Sequence, residues 1–176
     1  MGDQHIVETD RLYLRELTVH DYVDLCEMLQ DLEVMYAWEH KFSDGQVEEW
    51  LERNLERYEK SGVGFWAAIE KETNIMVGQI GLVWSKIGDE TVLEPGYILR
   101  KAYWHKGFAL EGAKACVEYA FSNIGVDIVY LSIRPENVSS LRVAEKLGAK
   151  VSNNHYVHYN GKDMLHLIYK IEKDKS

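Results

Sequence analysis

The sequence predicts a mixed α/β (α+β) domain, a central sheet of about seven strands carrying four helices. Segments of period two and segments of period 3.6 alternate along the chain instead of separating into halves. Their order is strand, two helices, three strands, helix, strand, helix, two strands. The chain has 176 residues, 46% hydrophobic and 28% charged. That is one ordinary domain, residues 1–176, able to bury roughly 70% of its unfolded surface without covalent staples. No repeat, linker or low-complexity tract interrupts it.

Ile6 to Leu17 alternates and reads as the first strand. Thr18, with Asp21 three residues on, forms a capping box before a helix whose apolar stripe is Tyr22, Leu25, Cys26 and Leu29. Ser43 and Gln46 repeat that logic for a second helix, striped by Val47, Trp50, Leu51, Leu55 and Tyr58 and ended by Gly62. Gly64 to Ile69 and Met76 to Trp84 form a hairpin about the polar Glu72 to Asn74. Thr91 to Leu99 follows as a strand in which Pro95-Gly96 predicts a bulge. Gly107 precedes a helix with the small stripe Ala109, Ala113, Cys116, Val117 and Ala120, which lets a helix lie close to a sheet. Ile128 to Ile133 is a buried strand, and Asn137 opens a short helix through Lys146, closed by Gly148. Asn160-Gly161 joins Tyr156 to Tyr159 and Leu165 to Ile171, the strongest hairpin signal in the chain.

Two cysteines, Cys26 and Cys116, lie on apolar stripes with no C-x-x-C spacing, which excludes a disulfide framework or zinc ribbon and predicts core thiols in a reducing compartment. No signal peptide, membrane span or myristoylation signal is read, so a cytoplasmic protein is expected. Net charge is -9, and its distribution is uneven: residues 1–60 hold 16 acidic and 6 basic side chains, residues 61–176 hold 13 and 14. With no basic face, nucleic acid is not expected as a partner. The acidic first third is either a set of solvated helix faces or an attraction for a cationic substrate. His155 and His158 are three apart, on opposite faces of a strand, so no metal site is expected.

The segment Gly96-Tyr97-Ile98-Leu99-Arg100-Lys101-Ala102-Tyr103-Trp104-His105-Lys106-Gly107-Phe108-Ala109 runs from a strand into a helix start. Such a junction aims unpaired N–H groups and the positive end of a helix dipole at one spot. It is neither a G-x-G-x-x-G fingerprint nor a G-K-[ST] loop, and read alone Gly107 is a permissive loop residue. Trp104-His105-Lys106-Gly107-Phe108-Ala109 resembles the [RQ]-x-x-G-x-[GA] pyrophosphate loop of the GNAT N-acetyltransferases, in the W-x-K-G-[FY]-A form of the RimJ/RimL-like branch, with Trp104 in place of Arg or Gln. Asn137-x-x-Ser140 followed by Glu145-Lys146-Leu147-Gly148 is similar to that superfamily's second signature.

The resemblance covers nearly the whole chain and implies a splayed gap between the strands containing Ile98 and Ile128, holding the pantetheine of acetyl-CoA. It implies that Ile98, Leu99, Arg100, His105, Lys106, Gly107, Phe108, Ala109 and Asn137 bind this cosubstrate, with a backbone N–H near Ile98 or Leu99 stabilising the oxyanion. Glu94 matches the Glu just before G-Y in that branch and is expected to act as base or water-orienting residue, its pKa raised by desolvation in a closing cleft; otherwise it is a strand-end carboxylate facing solvent. Ser140 is expected to supply the thiolate's proton, or else is a helix-surface serine. The tyrosine that many members carry in the helix after the asparagine corresponds to Ala144, a departure from the pattern. Direct attack of a primary amine on the thioester is implied, with a protein or peptide N-terminus as acceptor and a monomer or homodimer as the enzyme. A small amine such as a polyamine or aminoglycoside is the alternative acceptor, and a non-catalytic acyl-CoA-binding module the alternative class.

Overall fold

The computed structural model of the chain describes residues 4–175. The strands and α-helices described are β1 (Val7–Glu8), β2 (Leu12–Glu16), α1 (Tyr22–Leu29), α2 (Asp44–Ser61), β3 (Phe65–Glu70), β4 (Met76–Ile87), β5 (Glu90–Leu99), α3 (Phe108–Tyr119), β6 (Ile128–Ile133), α4 (Val138–Lys146), β7 (Lys150–Tyr159) and β8 (Lys162–Glu172). Both capping boxes form: Thr18 and Asp21 open a 3-10 turn that leads into α1, and Ser43 and Gln46 open α2. Gly148, at φ 81°, ends α4, and Asn160-Gly161, at φ 52° and 79°, turns β7 into β8. Among the described residues no helix is long and apolar enough to cross a membrane. The expectation of no leader or lipid signal rests partly on residues 1–3, outside the described part.

Two expectations are corrected. The single strand Ile6 to Leu17 is a hairpin, β1 against β2, because the chain turns where the Thr9 N–H donates to the Leu12 carbonyl. The Pro95-Gly96 bulge is absent from the β4–β5 pairing, which runs without a register shift through Leu82 opposite Pro95 and Gly81 opposite Gly96.

The distortion lies one strand further on, where the sheet divides into β1-β2-β3-β4-β5 and β6-β8-β7. The Arg100 N–H donates to Val77 O, so in this antiparallel register Glu94, Gly96 and Ile98 turn their backbone toward β4, and Pro95, Tyr97 and Leu99 turn theirs toward β6. Proline has no N–H to offer there, which helps to keep β6 from pairing. On the other side the Lys173 N–H donates to Asp127 O, so Val129, Leu131 and Ile133 face β8 while Ser132 faces the gap.

The core lies between the helices and the larger sheet. Trp50 on α2 donates its indole N–H to the buried Gln79 of β4 at 2.7 Å, and buried Asn54 takes the Phe65 N–H at 2.9 Å, so α2 is pinned to β3 and β4 by satisfied polar groups. Gly112 lets α3 settle on the sheet, since a Cβ there would come within 2.4 Å of the Ile80 side chain. Cys116 is buried, Cys26 half-buried, and both thiols are free.

Candidate active site

The gap between β5 and β6 closes at one end on Glu94. Its Oε1 accepts the Ser132 N–H at 2.7 Å, the backbone donor that β6 turns toward the gap, and its Oε2 accepts a short hydrogen bond from the Ser85 hydroxyl. Glu94 therefore holds the two sheets together where the strands part, rather than facing solvent as a strand-end carboxylate.

Toward the other end the β5 edge presents the Tyr97 backbone and the Leu99 N–H, while the Leu99 carbonyl takes the Trp104 indole N–H at 3.0 Å. The Ile98 backbone belongs to the pairing with Gln79, so of the two residues expected to offer edge hydrogen bonds only Leu99 faces the gap, joined by Tyr97. The connection then passes His105, in the left-handed region at φ 62°, and Gly107, at φ 81°, before α3 starts at Phe108. No side chain caps α3, which leaves the N–H groups of its first turn, Ala109 included, for an anion. The Cβ that Gly107 lacks would stand 3.4 Å from the Arg11 guanidinium, which lies over the buried Phe108 ring at 4.2 Å. An unpaired strand edge continuous with an uncapped helix start suits a chain of amides ending in a diphosphate, and these residues fit acetyl-CoA.

Arg100 and Lys106 are placed differently from the rest of the loop. The Arg100 side chain pairs with Asp24 and, at 2.6 Å, Glu27 on α1, and Lys106 lies over the Tyr103 ring. Arg100 thus anchors α1 beside the loop.

Asn137 and Ser140 meet the gap from α4. The Asn137 Oδ1 accepts the Ser140 N–H at 3.2 Å as a helix cap and the Tyr36 hydroxyl at 2.7 Å, tying the segment after α1 to α4. The Ser140 side chain hydrogen-bonds Tyr97, whose hydroxyl burial pushes up to about 12. Tyr97 and Tyr36 escaped sequence reasoning; Tyr97 stood inside the G-Y motif, and Tyr36 carried no motif signal. Ala144 is fully buried with Leu131, Ile133 and Tyr169, so it faces the small core under α4 and not the gap.

Beside this cluster an open cleft of about 160 Å³ is lined by Tyr36, Ala37, Glu39, Arg134, Glu136 and Asn137. Arg134 donates to the Ala37 carbonyl at 2.9 Å and pairs with Glu136 at 3.3 Å, and Glu39 is held at φ 63°. Trp66 is core, while Trp84 and Tyr156 are exposed and lie outside this lining.

Residues 11–150 match the acetyltransferase (GNAT) domain model. The chain belongs to the GNAT acetyltransferases. Its relatives include the uncharacterized protein YkkB of Bacillus subtilis, 35% identical over 82% of this chain and 84% of that one. The uncharacterized N-acetyltransferase YnaD of the same organism is 30% identical over 82% of each. Among solved structures, RimL, a ribosomal L7/L12 alpha-N-protein acetyltransferase in complex with coenzyme A, shares the fold with a TM-score of 0.79 at 14% identity, covering 98% of this chain and 100% of that one. This GNAT chain is an N-acetyltransferase, and acetyl-CoA is the cosubstrate its fold uses.

Proposed function

We propose that the acceptor is the N-terminal amine of a protein or peptide, as in the RimJ/RimL-like branch. The supporting observation is the cleft beside Tyr97 and Ser140. At about 160 Å³ it is smaller than the usual pocket for a whole small molecule, which is on the order of 300 Å³ or more, and it is open to solvent as a chain end requires. Glu39 and Glu136 are carboxylates that an incoming ammonium would share with their present ion-pair partners, Arg134 for both and Lys162 for Glu39. RimL, which has the same fold, is by name an alpha-N-protein acetyltransferase.

In this reading residues 1–176 form one catalytic unit, monomer or homodimer, acting in the cytoplasm. The Leu99 N–H and the N–H groups from His105 to Ala109 hold the pantetheine and diphosphate, and Asn137 orders the α4 end. The cosubstrate supplies an activated acetyl group. Glu94 serves removal of the acceptor's proton, and Ser140, backed by the protonated Tyr97 hydroxyl, serves the departing sulfur. A small amine such as spermidine is the second reading, favoured by the acidic excess of residues 1–60.

The test is thiol release from acetyl-CoA with alanyl, seryl and methionyl tetrapeptides, each with a free N-terminus, beside spermidine and kanamycin. Turnover with a tetrapeptide and none with its N-blocked form is expected. Preference for spermidine would replace the proposal by the second reading, and acetyl-CoA binding without turnover on any amine would leave a binding module.

A further inference from the structure

Four groups that belong to neither sequence motif cluster around the closed end of the gap. His155 on β7 and His166 on β8 are directly opposite each other, with ring centroids 5.9 Å apart. The His155 Nε2 stands 3.5 Å from the Ser132 hydroxyl, and the N–H of that same serine is held by Glu94. Arg134, which lines the acceptor cleft, is the fourth.

The His166 ring has a defined tautomer. Its Nδ1 lies 3.1 Å from the Met164 carbonyl, which only accepts, so Nδ1 carries the proton and Nε2 keeps its lone pair. Three charged or titratable neighbours act on this half-buried ring: His155 from β7, Arg134 from the segment after β6, and Glu94 from β5. Burial above all, with His155 and Arg134, holds its pKa below the ordinary histidine value, while the Met164 carbonyl and, less strongly, Glu94 pull in the opposite direction. At neutral pH the ring is therefore an uncharged base, connected through His155 and Ser132 to the Glu94 carboxylate. Glu94 is fixed in place on both oxygens, Oε1 by the Ser132 N–H and Oε2 by the Ser85 hydroxyl, so its charge stands at a defined point between the two sheets.

Resting on the acetyl-transfer reading of this site, we infer that His166 is the group that takes the acceptor's proton, with Glu94 as its counter-charge. An ammonium N–H bond breaks and the proton bonds to the His166 Nε2, leaving an electron pair on the amine nitrogen. As the C–N bond forms and the C–S bond breaks, the Ser140 hydroxyl gives its proton to sulfur and takes up the second proton that leaves nitrogen, so Ser140 ends as it began. The imidazolium, stabilised by Glu94, holds the single net proton until it passes to water. Glu94 is then a positioning residue, on the logic by which a base is oriented by a third group.

The experiment pairs a histidine NMR titration of the free protein with the pH profile of kcat/KM for the best tetrapeptide of the panel above. In the wild type His166 is expected to titrate below 6.5, and lower still in Glu94→Gln, where the counter-charge is gone. His166→Gln is expected to lose roughly 10²-fold in turnover at neutral pH, with the deficit shrinking at alkaline pH where the amine is already neutral. Glu94→Gln is expected to keep a measurable profile with its acid limb moved to lower pH. His166→Asn gives a second variant if the glutamine disturbs folding. Wild-type turnover in His166→Gln, or a His166 titration unmoved by Glu94→Gln, would overturn the inference. Loss of the acid limb in Glu94→Gln alone would make Glu94 the base. If no amine of the panel turns over, the acceptor reading fails by itself, and the titration still decides whether His166 answers to Glu94.

Discussion

Gly107 shows how much one backbone angle carries. Its φ of 81° is closed to a β-branched side chain, and a Cβ there would point at the Arg11 guanidinium, over the surface where the loop's N–H groups converge. Gly107→Val should therefore abolish the rise in melting temperature that acetyl-CoA produces in the wild type; an unchanged shift would remove the diphosphate from this loop. Ser140 acts late if it acts on the sulfur. A thiol with a reference pKa near ~8.5 is a fair leaving group, so Ser140→Ala should cost about 10²-fold or less, in kcat and not in acceptor KM. A rise in acceptor KM at constant kcat would make Ser140 a binding residue instead. His166 also ties stability to pH. Because its pKa is lowered in the fold, the unfolded chain binds the proton more readily, so stability is fully present above 6.5 and falls as pH drops below it. Urea unfolding should show that loss in the wild type and a shallower one in His166→Gln; equal slopes would mean the ring is not buried as described.

At the scale of elements, α4 explains why the superfamily tyrosine is missing from Ala144. That position has 0% exposure and touches Leu131, Ile133 and Tyr169 in the core beneath the helix. Ala144→Tyr should give no gain in turnover and should destabilise the protein by about 1–3 kcal/mol, the usual cost of overpacking. Chemical denaturation reads the loss, and a tyrosine variant that is both stable and faster would show that α4 turns this position to the gap. Tyr97, whose hydroxyl hydrogen-bonds Ser140, comes from β5, three elements before the helix in which the motif looks for a tyrosine. The capped helices, the α4 stop and the Asn160-Gly161 hairpin were legible because each depends on residues within one turn of chain. The first hairpin was not: the polar run Glu8-Thr9-Asp10-Arg11 sits inside the stretch read as one strand, and it lacks the glycine or proline that marks a break.

For the molecule as a whole, the gap between the two sheets is both the defect and the site. A ligand lying along it would pair edges that are otherwise spanned by the Glu94 carboxylate. Acetyl-CoA should slow amide hydrogen exchange at Leu99 and in the first turn of α3 while leaving the distant β1–β2 hairpin unchanged. At a hundred times its dissociation constant it should add about 2.7 kcal/mol of stability. Uniform protection across the chain, or none at Leu99, would place the ligand elsewhere.

By itself the sequence determined the order of elements, their caps and turns, and the loop from Trp104 to Ala109, because these depend on neighbours along the chain and on the unpaired N–H groups any helix start exposes. Tertiary structure alone decided what Pro95-Gly96 does, since whether a proline bends its own strand or spoils the next pairing depends on which edge its missing N–H faces. It likewise brought His155, His166, Ser132 and Glu94 together from four strands, a meeting set by cross-strand register that no spacing within the sequence records.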